Sequence, residues 1–98
     1  MQHWKSKIKN LGTITVGKTQ RVVYQSLTSL EVKNISSSCG CTSPTYDAGK
    51  KELVVKYTPN PIPVHLRTLG FYNSVKTITV YYKDGTRDVL TLKAKVTN

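Results

Sequence analysis

Two thiols stand closest to chemistry in this chain. Cys39 and Cys41 flank Gly40 inside Ser38–Thr42, and they are the only two cysteines. A zinc site needs four ligands, and two thiolates supply half of them. The only imidazoles, His3 and His65, lie far off in sequence. Thiol–disulfide chemistry favours a Cys-x-x-Cys at a helix N-terminus, and the spacing here is one residue shorter. A bridge between residues two apart conflicts with the Cα and Cβ separations a disulfide prefers. The expectation is therefore structural. Cys39 and Cys41 pack as small side chains at a tight corner, Gly40 permits the bend, and no disulfide, metal or cofactor is called for.

No other constellation suggests catalysis. There is no Ser-His-Asp order, no glycine-rich phosphate loop and no cluster of metal ligands. Asp47, Asp84 and Asp88 read as turn residues. The chain is expected not to be an enzyme.

Charge is the stronger signal. Fifteen Lys and Arg face five Asp and Glu among 98 residues, a net charge of +10. Glu31 is the first acidic residue, after Lys5, Lys7, Lys9, Lys18 and Arg21. Such an imbalance repels itself in a small domain and favours an acidic partner. Lys5, Lys7 and Lys9 alternate, as do Lys93 and Lys95. If the first and last strands are neighbours, these five form one positive patch, with Trp4 as a buried anchor against the partner. Lysines on edge strands also discourage sheet-to-sheet aggregation, so each lysine taken singly has a second explanation. Nucleic acid is the weaker alternative: Trp4 and Tyr81-Tyr82 could stack bases, but no nucleic-acid motif is present.

The elements that position these residues read as strands. With 38% apolar residues, disorder is not expected. No apolar run of about 18 residues crosses a membrane, and no apolar stretch follows the basic first ten residues as in a signal peptide. A cytoplasmic start is expected. Residues 1–9 are either a short edge strand or an arm lying on a partner. Residues 10–98 are one domain. Within it, Leu53, Val55 and Tyr57 alternate inward, as do Ile78, Val80 and Tyr82, and then Leu90, Leu92, Ala94 and Val96. Gly49 is placed to take a positive φ in the turn after Asp47, and Asp84-Gly85 predicts a type I′ hairpin. Pro59, Pro61 and Pro63 require an exposed crossover or a sheet edge. Val64 to Phe71 is left between loop and edge strand. About seven strands at spacings of roughly 8–12 residues, with no helix, predict an all-β, immunoglobulin-like sandwich.

The chain also resembles a known family. Leu11-Gly12-Thr13-Ile14, then Gly17-Lys18, a strand, and Ser38-Cys39-Gly40-Cys41-Thr42 look like the bacterial SCGCT-motif family of uncharacterised Ig-like domains, relatives of the hydin-type domains. Ala48-Gly49, Val55 to Pro59 and Leu90 to Val96 match the later parts of that pattern. Two places depart from it: Ser26 to Ser29 is shorter than the family's loop, and the proline-rich 59–63 replaces a glycine-containing one. The resemblance implies an Ig-like sandwich over about residues 10 to 96. Free-standing domains of this kind are similar to accessory structural proteins of tailed bacteriophage particles. The expected function is thus an auxiliary, decoration-type virion protein. Its partner would be an acidic surface such as the major capsid protein lattice, with copies of itself as a further partner and no membrane. The alternatives are a neck or tail component, or a basic nucleic-acid-binding module.

Overall fold

The computed structural model describes residues 3–38 and 40–98 of the chain. Seven strands appear in chain order: β1 (Ile8–Thr15), β2 (Gln20–Gln25), β3 (Val32–Ser37), β4 (Thr42–Asp47), β5 (Glu52–Tyr57), β6 (Phe71–Tyr82) and β7 (Arg87–Thr97). They form a four-stranded sheet, β1-β7-β6-β3, and a three-stranded sheet, β2-β5-β4. All neighbours are antiparallel except β1, which runs parallel to β7. This is an all-β sandwich with the strand partition of an immunoglobulin domain.

The inward sets predicted from alternation are the core. Leu53, Val55, Ile78, Val80, Leu90 and Val96 are completely buried, and Tyr57, Tyr82, Leu92 and Ala94 nearly so. Tyrosine hydroxyls tie the layers together. Tyr24 on β2 donates to the Thr91 carbonyl on β7 at 2.6 Å, and Tyr57 on β5 meets Ser74 Oγ on β6 at 2.8 Å. Each buried hydroxyl would otherwise cost about 1–3 kcal/mol unpaired. Burial pushes the Tyr24 phenol up to about 12.

The N-terminal segment changes sheets. Residue 4 bridges Ser26 in antiparallel fashion, with Lys5 N–H donating to Gln25 O and Leu27 N–H donating to His3 O. Ser6 then turns the chain through its hydroxyl, which bonds the backbone of Ile8. From Ile8 onward the chain pairs with β7. A boundary at residue 9 would therefore cut β1, and residues 3–9 belong to the sandwich.

Several local expectations are corrected. Extended alternation over residues 2–9 would put Trp4 and Ile8 on one face opposite Lys5, Lys7 and Lys9, but Trp4 is fully buried and Ile8 is 56% exposed, because the chain crosses between sheets at Ser6. Val64–Leu66 is a turn of 3-10 helix rather than a strand, following prolines that lack the donors a ladder needs. The crossover is exposed at Pro61, while Ile62 anchors it in the core. In the 83–86 hairpin only Gly85 has positive φ, and its N–H returns to Tyr82 O. That is a type I turn closed by a left-handed glycine, not a type I′ turn. After Asp47 the positive φ falls on Lys51 and not on Gly49. An added Cβ at Gly40 meets open space.

Candidate functional site: two sheet faces and a pinned N-terminal strand

Trp4 is the first site residue the structure relocates. It lies in the sandwich's own core, packed edge-on to Tyr46 at 6.1 Å. Its indole N–H donates to the Tyr82 hydroxyl at 2.9 Å. Tyr82 in turn donates to Asp88 Oδ2 at 2.7 Å, and Lys7 Nζ contacts Asp88 Oδ1 at 2.8 Å. The expectation of Trp4 as an anchor in a partner is thus corrected: this conformation leaves none of it to contact. Asp88 is likewise not a turn residue. It is the second residue of β7 and closes a chain of polar contacts running from the core to the rim.

The electrostatics of that chain follow from its burial. Burial alone would raise the Asp88 carboxyl. The hydrogen bonds from Lys7 and Tyr82 and the charge of Lys7 outweigh it, and the carboxyl lies below its ordinary value. Burial, with the bond to Asp88, pushes the Tyr82 phenol well up.

The five lysines do not form one patch. Lys93 and Lys95 are exposed on the outer face of the four-stranded sheet. Lys9 shares the rung of Leu92, a core residue, so it is half-buried and turned from Lys93. Lys7 is held at the rim by Asp88, and Lys5 is exposed beside the bridge to β2. What joins Lys93 and Lys95 on their face is Arg87, two-residue steps along the same strand, which sequence reasoning passed over. Strand parity would have found it, since Arg87, Lys93 and Lys95 are all odd positions of β7.

Exposed apolar side chains share this face: Ile8 (56%), Val75 (59%) and Val89 (47%). Among the described residues of these four strands no carboxylate stands on that side. Asp88, on the Val80 rung, faces the other way. The opposite outer face differs. Its hollow, about 370 Å³, is lined by Arg21, Lys50 and Lys56 but also by Asp47 and Glu52.

Of the cysteine motif, Cys41 is half-buried against the core and is not a free thiol. Cys39 lies outside the described residues, and so does the expectation of an unbridged pair. Among the described residues no three His, Cys, Asp or Glu side chains come together as a metal group would require. No helix of the described residues is long and apolar enough to cross a membrane.

Comparison with known proteins agrees with the architecture. No curated protein matches the chain. A crystal structure of a mutant SrpA adhesin from Streptococcus sanguinis is similar, with a TM-score of 0.55 at 15% identity. The match covers 91% of this chain and 57% of the adhesin chain, so the present chain spans little more than half of that protein's length. At that identity the likeness is one of fold. The match to the family described as "Protein of unknown function (DUF1573)" runs over residues 2–96, nearly the whole chain, and the chain belongs to that family.

Proposed function

We propose that this chain is a non-enzymatic binding protein that attaches to an acidic protein surface through the outer face of its four-stranded sheet. One observation carries this reading: Arg87, Lys93 and Lys95 share that face with exposed Ile8, Val75 and Val89, and no carboxylate of the described strands offsets them. Long-range attraction then brings an acidic partner in, and the apolar side chains supply contact once it arrives. Each contact is weak, so the arrangement suits a repetitive partner on which many copies bind at once.

The setting we propose is the shell of a tailed bacteriophage particle, with the chain as an auxiliary decoration protein on the major capsid lattice. The Ig-like fold and the basic face support it; the similar adhesin's fold supports a binding role more generally. The test is to add the purified chain to particles lacking it, at low salt. Saturable binding is expected, at a copy number comparable to the shell protein and released by salt as the Debye length shortens. Absence of binding, or binding unchanged when Arg87, Lys93 and Lys95 are replaced by glutamate, overturns the reading. A second reading, a nucleic-acid-binding module, rests on the same cations. It predicts duplex or single-strand affinity that falls linearly in log salt.

A further inference from the structure

The geometry points to a defined subsite on this face: we propose that the hollow beside the β1 bulge binds two carboxylates spaced two residues apart on an extended acidic strand of a protein partner. The inference rests on the binding face proposed above and adds the place and spacing of the recognised groups.

The hollow has a structural cause. The register between β1 and β7 slips between Asn10 and Thr13. Gly12 takes φ +71 there, and Leu11 turns toward the core. An inserted residue of this kind bends the strand and interrupts its ladder. The result is a space of about 380 Å³ on the outer face, lined by Asn10, Thr13, Asn73, Val75, Lys93 and Lys95.

The lining is rich in donors. Both ionisable groups are cations. The Lys93 ammonium makes no hydrogen bond or ion pair among the described residues. Lys95 is steadied at one side, its Nζ 4.3 Å from the centre of the Phe71 ring. The Asn10 Oδ1 already accepts the Gly12 N–H at 2.9 Å, which leaves the amide N–H groups of Asn10 to donate. Asn73 and Thr13 stand on the Lys95 rung.

The spacing chooses the ligand. Residues two apart on one strand face are about 6.6 Å apart. Glutamates two apart on an extended partner point the same way at the same interval, so each meets one lysine. Successive phosphates of a single strand would also reach both lysines. Bases, however, need free aromatic faces to stack on, and the aromatic ring beside this hollow, Phe71, has a face covered by Lys95.

The experiment is an NMR titration of the isotope-labelled chain at low salt with three probes. The first is a capped five-residue peptide alternating threonine and glutamate, with two glutamates. The second is its isomer with the glutamates adjacent. The third is an oligothymidylate. The alternating peptide is expected to shift the amides of residues 10–13, 73–75 and 93–95 saturably. The isomer should bind about threefold more weakly, and a Lys93→Gln/Lys95→Gln variant about tenfold more weakly. Equal response to the two peptides overturns the proposal. So do shifts centred on Arg21 and Lys56, or tighter seating of oligothymidylate in the hollow. The broader reading fails separately. If charge reversal of this face abolishes attachment to acidic particles but the peptide does not seat in the hollow, only the subsite is lost. If the peptide seats and attachment ignores the reversal, only the broader reading is lost.

Discussion

The two outer faces of this sandwich carry similar numbers of cations and opposite arrangements of everything else. On the three-stranded sheet, Arg21 and Lys56 share a rung, while Glu52 and Asp47 share another four residues along β5. Positive and negative rungs thus lie on one surface. On the four-stranded sheet, Arg87, Lys93 and Lys95 have no such counterpart, and three apolar side chains stand exposed among them. A net charge of +10 says only that cations are in excess. The strand register says where the excess is left uncompensated, and that is where a partner gains most.

The comparison depends on β1 being part of the four-stranded sheet, and the largest effect comes from undoing that. Trp4→Ala removes the side chain that holds the N-terminal segment in the core. The loss of packing should destabilise the fold by about 3–5 kcal/mol, read as a shift in the denaturation midpoint. Unchanged stability would place the N-terminal segment outside the cooperative unit, and the face would lose Ile8 and Asn10.

Next in size is the direct contrast between faces. Arg87→Glu/Lys93→Glu/Lys95→Glu should weaken binding to an acidic surface about a hundredfold, or about 2.8 kcal/mol. Arg21→Glu/Lys56→Glu should weaken it less than about threefold, the scale of an exposed, screened charge. Equal losses would mean that net charge alone governs attachment and that the faces are equivalent.

Much of this was legible in the sequence, and the misses share a cause. Leu53, Val55 and Tyr57, like Leu90 to Val96, read correctly because a regular strand has a fixed period of two. Period two fails wherever the chain leaves one ladder for another. Trp4 and Ile8 are even-numbered neighbours with opposite fates because Ser6 carries the chain across the sandwich between them. Lys9 and Lys93 are separated by face even though β1 and β7 are adjacent, because the rung that pairs Lys9 with Leu92 is a tertiary fact. Arg87 was legible by parity but passed over, since it adjoins a turn. The bulge at Gly12, the roles of the tyrosine hydroxyls and the burial of Trp4 all depend on groups distant in sequence.

A smaller prediction concerns the contacts that pin β1 at its start. Asp88→Asn keeps the shape and removes the charge that Lys7 and Tyr82 engage. It should cost about 1–2 kcal/mol near neutral pH. The carboxyl's folded-state value is lowered, so its contribution is present above the ordinary value of 3.8 and is lost as pH falls through the depressed one. The wild type should therefore lose stability over that acid range faster than the variant does. Parallel acid-denaturation curves would deny the contact any role in pinning the strand.

The smallest effect tests the comparison from the other side. Asp47→Asn/Glu52→Gln strips the carboxylates from the three-stranded face, leaving Arg21, Lys50 and Lys56 uncompensated. Asparagine retains the oxygen through which Asp47 caps the Gly49 and Lys50 N–H groups, so the turn should persist. If charge alone made a binding face, this variant would gain a second one and bind acidic surfaces as strongly as the first. A gain of less than about threefold is expected, because exposed charges at this density contribute little by themselves. On this face Val23 and Val54 are only partly exposed, whereas Ile8, Val75 and Val89 protrude on the other. A full second binding mode would shift the explanation from the apolar side chains among the cations to the cations alone.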